Sequence, residues 1–143
     1  MPDIIIHSED LTVSLGAGCD IVDITDELSA LAIDSGVKVG TLSATVVGST
    51  GSITTIEFEP GVVEDLKAAI ERLAPRGMFY AHEAAWHDGN GHSHVQAAMM
   101  GPSISVPIRN GCLRLGTWQQ VVVINHDNKP RRRPVVVTII GTG

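Results

Sequence analysis

Aromatic side chains are scarce: Phe58, Phe79, Tyr80, Trp86 and Trp118 are all that 143 residues contain. The core must therefore come from Val, Ile, Leu and Ala, and the β-branched members of that set favour a sheet-rich fold. Positive charge is scarce too, with 10 Lys and Arg against 16 Asp and Glu and a net charge of −6. Such a field repels phosphate backbones, and no aromatics interleave with the few basic residues, so nucleic acid is a poor partner. No run of 18 apolar residues exists, and Met1-Pro2-Asp3-Ile4 carries neither a basic segment nor a long apolar stretch, which argues against membrane insertion and export. Cysteine is limited to Cys19 and Cys112, without a CxxC pair, so two thiols in a reducing cytoplasm are expected. What remains is 43% hydrophobic, enough to offset the entropy of ordering one domain over residues 1–143.

Hydrophobic period and turn residues divide that domain. Ile4 to Ile6 and Leu11 to Leu15 read as two short strands around the polar break His7-Ser8-Glu9-Asp10. A helix begins at Thr25, whose hydroxyl is expected to cap free amides, carries Asp26 and Glu27 in its first turn, groups Leu28, Leu31 and Ala32, and stops at Gly36. Thr41 to Val47 alternates as a strand with Leu42, Ala44 and Val46 on one face, and Ile53 to Phe58 extends again after the loop Gly48-Ser49-Thr50-Gly51-Ser52. Val62, Val63, Leu66, Ala69, Ile70 and Leu73 recur at helical spacing until Pro75. After a polar stretch from His82 to His94, a short helix Val95 to Met100 ends at Gly101-Pro102. Ile104, Val106 and Ile108 then alternate, with Pro107 suggesting an edge or bulge. A strand from Leu113 towards Ile124 and a last one, Pro134 to Ile140, apolar enough for burial on both faces, complete the chain. The order does not alternate as βαβ units do, so an α+β fold is expected, with a largely antiparallel sheet and helices packed on it.

Four of the six histidines, His82, His87, His92 and His94, fall around Asp88, Gly89, Asn90 and Gly91. Neutral imidazoles with a nearby carboxylate suit a divalent metal, zinc before magnesium, in an open nitrogen and oxygen site. The same set reads equally as a metal-free acid–base or ligand-binding cluster, or as a surface loop whose imidazoles bond backbone. Glu57, beside Thr54 and Thr55, is a candidate general base or a partner that orients an imidazole, against an ordinary exposed strand carboxylate. Ser49 and Thr50 lie in a small-residue loop that lets a phosphate approach the main chain but lacks the Lys of a P-loop, so an ordinary hairpin loop is the better reading of it alone. Arg131, Arg132 and Arg133 sit together in an acidic chain, as a shared anion or as solvated turn residues. Trp118 beside Gln119 either frames a flat ring or packs over the sheet edge. Asp23 and Asp26 have magnesium-site spacing, but their place at a helix start favours capping.

Taken in order, Ile24-Thr25-Asp26-Glu27, Ile53-Thr54-Thr55-Ile56-Glu57, Tyr80-Ala81-His82, Asp88-Gly89-Asn90, His94, Ser103 to Pro107, Leu113-Arg114-Leu115-Gly116-Thr117-Trp118-Gln119 and Asn128 to Arg133 resemble the YjbQ family, also called UPF0047. The resemblance implies a compact α+β domain, a homotrimer, and a weak thiamine-phosphate synthase activity attributed to some members. It maps polar site residues onto Glu57, His82, Asp88, Asn90, His94, Trp118, Gln119 and the arginines. Many members carry a His where this chain has Gly48, and His87 and His92 look like additions. An enzyme acting on a phosphorylated small molecule is thus expected: Glu57, Asp88 and Asn90 catalytic, His82, His87, His92 and His94 on metal, and Ser49, Thr50, Thr54, Trp118, Gln119 and the arginines on substrate. A non-catalytic module that binds a metal or phosphometabolite is the alternative.

Overall fold

Alternating apolar residues build two facing sheets in the computed structural model, which describes residues 2–143. In chain order the elements are β1 (Ile4–Leu15), β2 (Asp20–Asp23), α1 (Thr25–Asp34), β3 (Val39–Val46), β4 (Gly51–Ile56), α2 (Pro60–Leu73), α3 (Ala81–Trp86), α4 (Gly91–Met100), β5 (Ser103–Arg109), β6 (Cys112–Leu113), β7 (Gln120–Asn125) and β8 (Arg131–Thr142). One sheet has the order β1-β8-β3-β5-β6 and the other β2-β7-β4. Every pairing is antiparallel.

Between the sheets lies the main core. Leu42, Ala44 and Val46 of β3 and Val135, Val137 and Ile139 of β8 meet Ile53, Val121 and Val123 of the smaller sheet, with Leu28, Leu31 and Ala32 of α1 joining them. On the other face of the smaller sheet Ile21, Val122 and Ile124 meet Ile70 of α2. Strand β7 is therefore the one buried on both faces, with odd and even residues in different cores. β8, expected in that role, alternates instead: Val135, Val137 and Ile139 are buried while Pro134 and Ile140 are exposed. Sheet and helix layers stacked in this way confirm the α+β class.

Several boundaries differ from expectation, each for a local reason. His7 to Asp10 does not break β1, because the strand lies at a sheet edge and pairs with β8 without interruption from Ile4↔Thr142 to Leu15↔Arg131. Leu113 to Ile124 is not one strand: β6 and β7 belong to different sheets, and the amide of Arg114 turns to the carbonyl of Pro107. Pro107 sits in β5, bordered on its outer side only by the two-residue β6. Helix α4 starts at Gly91 rather than Val95, and α3 occupies what reads as a polar loop. The Thr25 hydroxyl caps no free amide of its own helix; it donates to Asp23 at 2.5 Å and accepts from the amide of Val121 in β7. Gly36 does end α1, at φ +77°.

Candidate functional site

Three strands and one helix deliver polar side chains to a single end of the smaller sheet. β4 begins there with Thr50 and Ser52, β7 ends there with Asn125, His126 and Asp127, and β8 starts there with Arg131 to Arg133. Buried polar groups must find partners, and these do so among themselves. Arg133, 6% exposed, donates to Thr50 Oγ1 at 2.5 Å and to Asn125 Oδ1 at 2.7 Å. Asp127 accepts from Thr50 Oγ1 at 2.9 Å, from the amide of Lys129 at 3.0 Å and from Arg131 Nη2 at 3.0 Å. Burial pushes the Asp127 carboxyl up, but these donors, with Asn90, outweigh it and hold it below the usual carboxylate range.

His126 joins this hub to α4. Gln96 donates its amide to the carbonyl of Ala74, so its oxygen faces His126 Nδ1 at 3.0 Å; His126 Nε2 then accepts from Ser52 Oγ at 2.7 Å. Burial, followed by the Arg133 charge and His92, pushes the His126 pKa down to about 4, leaving a neutral ring at neutral pH. His92 lies one turn before Gln96 on the same face of α4 and is buried as well. Its pKa is lowered, first by burial and then by Arg76.

His94 leaves α4 on the opposite side, since two residues turn a helix through about 200°. It lines a hollow of about 300 Å³ with Gly48, Ser49, Gly51, Ala97, Ala98 and Pro102. His82 of α3 lies against it, ring centroids 4.6 Å apart, and also stacks on Trp86. Asp88 reaches His82 Nε2 at 3.4 Å. Burial raises the Asp88 carboxyl, yet the amide of Asn90 and the His82 ring bring it below its ordinary value. The intervening loop is pinned by Glu83, which accepts from the amides of Gly89 at 2.7 Å and Gly91 at 2.9 Å. Asn90 is buried and its Oδ1 is taken by Ser93 and the amide of Asn128, so it acts here as a tie between loops rather than as a free catalytic group. His87, in the left-handed region at φ 51°, terminates α3.

Glu57 and Trp118 stand at the other end of the same sheet. They line a cleft of about 520 Å³ with Asp23, Asp26, Phe58 and Glu59. The five residue steps of β4 from Gly51 to Ile56 separate the two ends by about 17 Å at ordinary strand rise, so one chain does not bring Glu57 to the imidazoles. Thr54 lies along β4 between them, and Gln119 donates to Thr55 Oγ1 at 3.1 Å, holding the loop after β6. The arginine triplet also divides: Arg131 and Arg133 face the hub, whereas Arg132 alternates to the outside of the larger sheet. The four histidines do not form one sphere, because His92 faces His126 instead. Among the described residues no three His, Cys, Asp or Glu side chains gather to hold a metal ion.

Sequence reasoning missed Ser52, Gln96, Asn125, His126 and Asp127. The signal was present: three consecutive polar residues closing a strand of valines, immediately before a basic cluster, require partners if buried. Gly48 has a physical counterpart in Arg133. A Cβ there would lie 2.5 Å from Arg133 Nη1, and the backbone sits at φ +134°, so the guanidinium fills the space that a side chain would take.

A two-sheet α+β domain with a buried polar hub under paired imidazoles is the class that these features define. The model of the family described as UPF0047 protein YjbQ-like matches residues 9–142, and the chain belongs to that family. A UPF0047 protein of Methanothermobacter thermautotrophicus is 31% identical over 95% of this chain and 93% of its own length. One from Mycobacterium tuberculosis is 38% identical over 78% of this chain and 85% of its own. Among solved structures, a YbjQ-like protein of unknown function from Sulfolobus solfataricus superposes with TM-score 0.92 at 30% identity, covering 97% of this chain and 99% of the other. A YjbQ/UPF0047 protein of Clostridium acetobutylicum does so with TM-score 0.84 at 30% identity, over 92% and 98%. Among the described residues no helix is long and apolar enough to cross a membrane.

Proposed function

We propose that the chain is an enzyme acting on a phosphorylated small molecule, with the His82, Asp88 and His94 rim over the Gly48–Ser49 hollow as its reacting end. The observation that supports this most is the placing of two facing imidazoles and a carboxylate on the rim of a hollow whose floor is backed by Arg133. Asp88 orients His82, the imidazole pair moves a proton, and Ser49 with Arg131 meets phosphoryl oxygens. In the synthase reaction that the resemblance suggests, a thiazole-phosphate nitrogen attacks the methylene carbon of a pyrimidine-methyl pyrophosphate. The carbon–nitrogen bond forms, the carbon–oxygen bond breaks, and pyrophosphate leaves with the electron pair.

Glu57 and Trp118 enter this reading through assembly. A head-to-tail homotrimer, working in a reducing cytoplasm where Cys19 and Cys112 stay free, would set the Glu57 end of one subunit against the imidazole end of the next. Among the described residues no three His, Cys, Asp or Glu side chains of one chain gather to hold a metal, so zinc or magnesium would bind only where a second subunit adds ligands. The competing reading, a non-catalytic binding module, draws on the fixed hydrogen bonds that already occupy Thr50, Asn90 and the Nη2 of Arg133. Steady-state assay of the full chain with both thiamine precursors separates the two. Turnover lost on His82→Ala plus His94→Ala supports the enzyme; no turnover where an authentic synthase works in the same buffer rejects it.

A further inference from the structure

Behind α4, on the side away from His94, lies a cavity of about 100 Å³ whose lining includes Cys19, Lys67, Glu71, Arg76, His92 and His126. That is about three waters' share of liquid volume, the size of one small charged group rather than a nucleotide. His92 is 5% exposed and makes no side-chain hydrogen bond among the described residues. The one sealed polar side-chain atom without a partner there is Arg133 Nε, so the His92 nitrogens open onto the cavity. Gln96 and His126 are engaged with each other, with the carbonyl of Ala74 and with Ser52. His92 is thus the free polar group of the floor.

The rim is cationic in a chain of net charge −6. Arg76 gives its Nε and its amide to Glu71, which occupies that carboxylate and leaves both terminal guanidinium nitrogens unbonded, with Nη1 held over Gly18. Lys67 pairs with Glu64 at 3.3 Å across one exposed helical turn, a contact weak enough to exchange for a better partner. Donors from α2, from the segment after it and from α4 converge on one small space. The sole carboxylate there is already neutralised, which disfavours a cation.

We propose that this cavity binds the phosphoryl group of inorganic phosphate or of a small phosphate ester, with Arg76 and Lys67 at the mouth and His92 at the floor. The site is separate from the His82–His94 hollow, and α4 forms a wall of both.

The test is titration of inorganic phosphate into the full chain at constant ionic strength, followed by histidine ring NMR signals and by calorimetry. The His92 signals should shift saturably, with the calorimetric midpoint. Arg76→Ala should weaken binding about tenfold, the ordinary worth of a charge-assisted contact, and Arg72→Ala, an exposed neighbour, should not. Arg76 is largely at the surface and Lys67 only half-buried, so their variants are expected to fold. A second titration with phosphoethanolamine separates the sources: a comparable midpoint assigns an esterified phosphoryl group, and failure of the ester alone assigns free phosphate. The proposal is overturned if His92 does not respond, if only His82 and His94 respond, or if the response survives undiminished in the Arg76→Ala, Lys67→Ala double variant.

Discussion

Acid should destabilise this protein before its carboxylates titrate. His126 is 1% exposed and its pKa is pushed down to about 4, against an ordinary 6.5. The unfolded chain therefore binds the proton more tightly, and stability falls as pH drops through about 6.5 until both states are protonated below about 4. A difference of about 2.5 units is worth about 3.4 kcal/mol in full, of which about 2 kcal/mol falls between about pH 7 and about pH 5. His92, also lowered, adds in the same direction. Asp127, whose carboxyl is held down, loses its contribution only below that interval, as its partners' hold is overcome by protonation. Urea denaturation across the range measures the effect. His126→Gln keeps a hydrogen-bonding side chain without titrating in this interval, and its stability should change with pH by about 2 kcal/mol less than that of the parent. Equal losses in parent and variant, or a His126 ring titrating near its ordinary value, would refute the reasoning.

Other substitutions separate scaffold from site. Leu28, fully buried between the sheets, should cost about 2–5 kcal/mol as Leu28→Ala in thermal or chemical unfolding. Trp118→Ala, at a residue 74% exposed, should change stability by less than about 0.5 kcal/mol while weakening any ligand at the Glu57 cleft. Asn90→Ala should cost about 1–3 kcal/mol, because it leaves the amide of Asn128 without its acceptor and the Ser93 hydroxyl with only the Asn90 carbonyl, and should increase hydrogen exchange in the loop before α4. Gly48→His should destabilise by more than about 1 kcal/mol through its positive φ and the Arg133 side chain behind it; unfolding at neutral pH reads the difference.

Local pattern revealed most of the fold and only part of the site. Period-two alternation placed Leu42, Ala44 and Val46 towards the core, and helical spacing found α2, because both depend on neighbours in the chain. β1 and β7 were misjudged because their limits depend on a partner: the β1 ladder continues as long as β8 pairs with it, and β7 is sandwiched by a sheet on one face and α2 on the other. The imidazoles suggested one cluster by proximity in sequence, yet helical geometry sends His92 and His94 to opposite sides of α4. Glu57 was expected at the same site as the imidazoles, while the extended backbone of β4 holds it at the other end of the sheet. The hub residues His126, Asp127 and Gln96 carry no family-independent motif; their meaning lies in burial, and burial is set by strands remote in sequence.

The central claim, that phosphoryl chemistry belongs to the Thr50 end of β4, is tested most directly by a crystal structure of the protein soaked with a thiazole phosphate. The account predicts phosphoryl density in the Ser49 hollow, within reach of His94, Ser49 or Arg131. Phosphoryl density confined to the Glu57 and Trp118 cleft, or an empty hollow in crystals with saturating ligand, would contradict it.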